Sequence, residues 1–185
     1  MIAATDTTAL SECSALVFSP STANTDATLQ LCHRLGFKTA VRDAEIASIP
    51  ADKIIFFLVH GALPDAQKQR LLQAIRSTNN PMRRFAPVVC LVPSGPRHQL
   101  VQLTEMGFDE VLFLSDPVED MSGKLAAQLN HPLIYVKTAK YFGPDRRRIE
   151  LVDRADPRRK HGNNDCHKIR VMRDPRRGIS ATDVL

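Results

Sequence analysis

The chain of 185 residues has no tryptophan, two tyrosines, eight phenylalanines and four cysteines. It also has no apolar run near the ~18 residues that a membrane-spanning helix needs, so no span is expected. Four cysteines in a chain of this length do not make a disulfide framework, which points to reduced thiols and a cytoplasmic setting. Cys13, Cys32 and Cys90 read as small buried apolar residues. With aromatics at 5% and hydrophobic residues at 43%, the core must be aliphatic and of ordinary size. Met1 to Glu12 lacks the basic start and apolar stretch of a secretory signal, and residues 1–13 read as a flexible N-terminus. There is no Gly-rich phosphate loop of the Walker type, and no nucleophile–base constellation can be assembled. No enzymatic activity, cofactor or resident metal is therefore expected.

The charge that is present is unevenly placed. Up to Val136 there are 11 Lys and Arg against 13 Asp and Glu; from Lys137 to the end there are 14 against 7. A nearly neutral body of residues 14–132 is thus followed by a basic, arginine-rich tail, residues 133–185, which carries the interaction signal.

The body alternates strand and helix patterns. Apolar runs at Ser14 to Ser19, Phe37 to Val41, Lys53 to Val59, Pro87 to Val92 and Glu110 to Leu114 read as strands. Helical spacing appears over Thr22 to Leu35, with Asn24 or Thr25 as cap and Gly36 as stop. It recurs over Asp65 to Ile75, Arg97 to Met106 ending at Gly107, and Val118 to Leu129. Five alternations predict an open α/β parallel sheet covered on both faces, in the flavodoxin-like order 2-1-3-4-5. Ligands of such sheets bind at the carboxyl ends of the strands.

Those ends define a resemblance. Residues 14–129 resemble a response-regulator receiver domain of the CheY type, with the best local match at Val59-His60-Gly61-Ala62-Leu63-Pro64-Asp65. The resemblance implies a phospho-acceptor Asp four residues before that Pro, where this chain has His60. The acidic metal-binding pair is replaced by Ser19 and Pro20. The Thr or Ser after strand four maps near Val92, and the Lys before the Pro after strand five maps to Asp116. Aspartyl phosphorylation needs a carboxylate nucleophile and Mg²⁺ on hard oxygen ligands. The expectation is a degenerate pseudo-receiver. Ser94 and Gly95 read as a turn.

The tail carries a repeated pattern. After Leu133 to Val136, an apolar run that reads as an extra edge strand or an anchor on the body, come Tyr141-Phe142-Gly143-Pro144-Asp145-Arg146-Arg147-Arg148, Asp156-Pro157-Arg158-Arg159 and Arg173-Asp174-Pro175-Arg176-Arg177. Sparse apolar residues predict a largely disordered extension. A purely phosphate-binding arm gains nothing from an Asp beside each Arg pair, whereas a guanine reader does. Arg forks onto guanine O6 and N7, a carboxylate accepts from the Watson–Crick edge, a second Arg stacks or pairs with phosphate, and Tyr141 and Phe142 offer stacking surface. His161, Cys166 and His167 are zinc-ligand types, but a fourth ligand at the usual spacing is missing.

At these residues the chain resembles the Cle proteins, receiver-like effectors of cyclic di-GMP with an arginine-rich extension. The resemblance implies a non-enzymatic signalling adaptor whose tail binds cyclic di-GMP through Tyr141, Phe142, Gly143, Asp145, Arg146, Arg147, Arg148, Asp156, Arg158, Arg159, Arg173, Asp174, Arg176 and Arg177. It also implies docking on a protein partner: the flagellar motor switch, the chemotaxis apparatus or attachment machinery. Two other readings stay open: a phosphorelay response regulator with an atypical acceptor, and a basic-tailed nucleic-acid-binding protein.

Overall fold

The computed structural model describes residues 7–145 and 166–184. Five parallel strands form the first sheet: β1 (Ser14–Phe18), β2 (Thr39–Arg42), β3 (Ile55–His60), β4 (Val88–Val92) and β5 (Glu110–Phe113). Their order is β2-β1-β3-β4-β5, the flavodoxin-like and CheY-like arrangement expected from the alternation. Five helices accompany them: α1 (Thr22–Arg34), α2 (Asp65–Ser77), α3 (Pro81–Arg84), α4 (Arg97–Met106) and α5 (Val118–Ala126).

The strands are apolar on both faces because both are covered. On one side Ala15, Val17, Phe56, Leu58, Val89 and Leu91 pack against Cys32 and Leu35 at the end of α1 and Met121 and Leu125 of α5. On the other, Leu16, Ile55, Phe57, Val59, Val88 and Cys90 meet Leu72 and Ile75 of α2 and Leu103 of α4. Alternate side chains along each strand serve alternate layers.

Several local expectations are corrected. The cap of α1 is Ser21, whose hydroxyl accepts from the Asn24 amide at 3.3 Å. Residues 7–13 are not a loose leader. A 3₁₀ turn spans Thr7–Glu12 and inserts Leu10 and Cys13 into the core beside α5. Phe37 is buried but precedes β2, which starts at Thr39.

The largest correction concerns the extension. Its described parts form a second, four-stranded antiparallel sheet of β6 (Pro132–Lys137), β7 (Phe142–Pro144), β8 (His167–Asp174) and β9 (Gly178–Val184), in the order β7-β6-β8-β9. Of the two readings of Leu133 to Val136, the edge strand does not hold, since the run lies in an interior strand of this second sheet, whereas its packing on Phe85 matches an anchor on the body. Its inner face alternates Leu133, Tyr135, Ile169 and Val171 onto Phe85, which ends α3. The expectation of a largely disordered tail does not hold for residues 166–184, because few apolar residues suffice when they share one face at strand period.

Candidate functional site

The carboxyl edge of the parallel sheet is closed by its own side chains. Ser19, after β1, places its hydroxyl 2.5 Å from that of Thr25 and donates to the Ser21 carbonyl at 3.0 Å. Pro20 has no donor to offer. His60 ends β3, and its Nδ1 accepts from the Ala62 amide at 3.2 Å, which puts the ring proton on Nε2. Partial burial, helped by the nearby Lys68 ammonium, lowers the pKa of His60 and favours the neutral ring. Gly61 then lies directly on β4. Its amide donates to the Leu91 carbonyl, and a Cβ there would stand 2.7 Å from Val92 Cγ1. Val92 is itself buried. Asp116 is paired with Lys124 Nζ at 2.8 Å. Among these residues the one carboxylate, Asp116, is tied to Lys124, and no pair of acidic metal ligands stands here. Sequence reasoning missed Lys68. It is buried in α2, 2.9 Å from Asp65, and brings a cation toward this edge from an unexpected element.

The opposite end of the sheet holds a denser polar cluster. Asp109, just before β5, is fully buried, and its two oxygens accept four hydrogen bonds. Oδ2 takes the Val88 amide at 2.8 Å and Arg76 Nη2 at 2.6 Å; Oδ1 takes Arg173 Nη2 at 2.7 Å and the Tyr135 hydroxyl. Arg173 also donates through Nε to the Phe85 carbonyl at 2.8 Å, through Nη1 to Gln128 at 3.0 Å, and through Nη2 to the Tyr135 oxygen at 2.5 Å. Arg76 Nη1 donates to the carbonyls of Arg84 and Ala86. Both guanidiniums stand over the Tyr135 ring, 5.3 and 5.7 Å from its centroid. Burial alone would push the Asp109 carboxyl up, but Arg173 and Arg76 more than reverse this and hold it at about 2. Burial likewise pushes the Tyr135 hydroxyl upward, so it stays protonated. The cluster joins α2, β5, β6 and β8, so it fastens the second sheet to the first.

This reassigns Arg173. Taken from sequence as a ligand residue, it has no exposed side-chain surface, and its donors are committed to the cluster. Asp174 is reassigned as well. Its Oδ1 accepts from the amides of Arg176 at 2.8 Å and Arg177 at 3.2 Å, and Gly178 follows at φ 86°. Asp, then Pro, then a left-handed Gly after two more residues is the chemistry of a hairpin turn, so the Asp serves the backbone. Arg176 and Arg177 project from that turn with 83% and 89% of their side chains exposed; Arg176 Nε lies 3.4 Å from Glu12.

The other site candidates divide between the second sheet and the undescribed segment. Phe142 belongs to the small core under the second sheet, edge-on to Phe85 and Tyr135, with the Arg84 guanidinium 4.9 Å above its ring. The Tyr141 hydroxyl donates to the Pro144 carbonyl at 2.8 Å and covers the buried Gly143. The Asp145 amide donates to Ile134. Arg146, Arg147, Arg148, Asp156, Arg158 and Arg159, with His161, lie outside the described residues. His167 opens β8 with Nε2 3.2 Å from Asp183. Sequence reasoning missed Arg76 and Asp109, and took Tyr135 only as part of an apolar run.

No family model matches the chain, and no curated protein matches it. Among solved structures, a response regulator in red light signaling of R. palustris is similar at 15% identity, with a TM-score of 0.43, over 62% of this chain and 90% of that one. No helix among the described residues is long and apolar enough to cross a membrane. The receiver-like α/β fold follows from the strand order itself.

Proposed function

We propose that the chain is a non-enzymatic signalling adaptor: a pseudo-receiver whose arginine-bearing extension takes cyclic di-GMP as its input and alters docking to a protein partner. The observation that carries the reading is the wiring of β8. Arg173 is locked into the Asp109 cluster at the base of the body, while Arg176 and Arg177, three and four residues on, point into solvent. Paired exposed arginines suit planar and phosphate-bearing ligands through fork and stacking geometry. A ligand held at that turn pulls on the strand that holds the two sheets together. The blocked carboxyl edge, with Ser19, Pro20, His60 and a paired Asp116, favours a ligand over a phosphoryl group as the signal. Arg146–Arg148 and the Asp156 unit supply further donors in this reading. The partner, of the motor, chemotaxis or attachment class, would meet the body.

Calorimetric titration of cyclic di-GMP and cyclic di-AMP into the full chain tests this. Binding of the guanine ligand, with at least about tenfold loss in Arg176→Ala/Arg177→Ala, supports the reading, since one charge-assisted contact is worth that much. Equal binding of both ligands, or none, overturns it. The basic balance of residues 137–185 favours one second reading, nucleic-acid binding. That would show as steep salt dependence without guanine preference.

A further inference from the structure

A cleft of about 500 Å³ lies between the body and the extension. Its walls are α2, through Gln69 and Gln73, and the end of β6 with the turn that follows it, through Lys137 and Lys140; Arg84 and Phe142 line it as well. This is within the size range of small-molecule sites. Three features set it apart from ordinary surface. First, among the described residues its lining includes Arg76, Arg84, Lys137 and Lys140 but no carboxylate. Neither lysine has an acidic partner among the described residues, and Arg84 engages only its Nε, on the Arg76 carbonyl at 3.0 Å. Second, the buried cluster behind it is not neutral. Two guanidiniums, Arg76 and Arg173, face one carboxylate, Asp109, and the Tyr135 hydroxyl is protonated. One positive charge is left over in a low-dielectric place, where it costs most. Third, Arg76 reaches from that cluster into the cleft lining, its side chain 95% buried, and its Nε has no hydrogen-bond acceptor. Because that Nε is closed to solvent, an anion in the cleft would offset the guanidinium's charge through the field and not by a hydrogen bond. The face of Phe142, with Arg84 stacked on it, adds a planar apolar wall.

We infer that this cleft is a binding site for a phosphorylated ligand with a planar ring, of the mononucleotide class. Phosphate is held by Lys137, Lys140 and the free Nη groups of Arg84, under the field of the surplus charge at Arg76. The ring lies along the Arg84–Phe142 stack, and Gln69 and Gln73 offer amide donors and acceptors to its edge. The inference goes beyond the proposed function, because it uses neither the exposed Arg176–Arg177 pair nor any guanine-specific contact. The two therefore fail separately. The site also sits where the second sheet meets α2 and α4, so occupancy would stiffen the joint between the two sheets.

The test uses the full chain labelled with ¹⁵N and follows the amides of Gly107, Thr138 and Phe142 during titration with GMP, AMP and ribose 5-phosphate. Saturable shifts with both nucleotides are expected, at lower concentration than with the sugar phosphate. Lys137→Glu/Lys140→Glu should weaken nucleotide binding by about tenfold or more, while Arg176→Ala/Arg177→Ala leaves it unchanged. Both lysines are exposed, so the thermal midpoint should not move. No shift with either nucleotide at millimolar concentration overturns the inference, and so does binding that survives the charge reversal. Equal binding of ribose 5-phosphate and nucleotides refutes the ring-stacking wall.

Discussion

Replacing Arg173 with alanine tests the joint between the two sheets most directly. The change removes the donors that meet the Phe85 carbonyl, Gln128, the Tyr135 oxygen and Asp109 Oδ1. It leaves Asp109, whose side chain has no exposed surface, with one guanidinium instead of two. Asp109 keeps Arg76, but the Phe85 carbonyl and Gln128 lose a buried donor, and each acceptor left unsatisfied costs about 1–3 kcal/mol, so a loss of about 3–5 kcal/mol is expected. A domain of this kind has only about 5–15 kcal/mol in total. At a urea slope of about 2 kcal/mol per molar, the unfolding midpoint of R173A should fall by roughly 1.5–2.5 M. Arg177→Ala, four residues along the same hairpin and 89% exposed, is the matched control and should stay within about 0.5 kcal/mol of the parent. The assay is urea unfolding of both full-length variants, followed by circular dichroism. If R173A unfolds within about 1 kcal/mol of R177A, the cluster does not hold the sheets together, and the structural role given to Arg173 is wrong.

Three further outcomes are expected. Asp109, held at about 2 against an ordinary 3.8, binds its proton later than the unfolded chain does. Its contribution, roughly 2 kcal/mol, is therefore complete above pH 3.8 and drains away as pH falls from 3.8 to about 2, readable as a midpoint shift between urea melts at those ends. Gly178→Ala meets both a φ of 86° and a Cβ position 3.0 Å from Met82 Sδ, so it should cost about 1–2 kcal/mol; an unchanged midpoint would refute the left-handed turn. Burial pushes the thiols of Cys13, Cys32 and Cys90 up to about 12, whereas Cys166 is only half-buried. Native protein should expose one thiol that reacts quickly with a disulfide reagent and three that react only in denaturant.

The body and the extension differ in how much of them could be read along the chain. The β3 run Ile55–His60 and the β4 run Val88–Val92 declared central parallel strands because both faces of such strands are covered, which leaves no polar alternation. Helix stops at Gly36 and Gly107 were equally local. So were the identities of the strand-end residues Ser19, Pro20, His60 and Asp116. The turn at Asp174–Gly178 was also legible, since Asp, Pro and Gly stood at turn positions, but the paired arginines drew the reading toward a ligand instead.

Sequence by itself therefore determined the layered parallel sheet, because hydrophobic period is a local property. Only the tertiary structure decided that β6 to β9 make a second sheet and that Arg173 is buried. Arg173 meets Asp109 across 64 residues, and Asp109 meets Arg76 across 33. No periodicity spans such gaps. A charged side chain reads as exposed until folding brings its partner, and the exchange of water for Asp109, Tyr135 and backbone carbonyls is what makes an arginine part of a core.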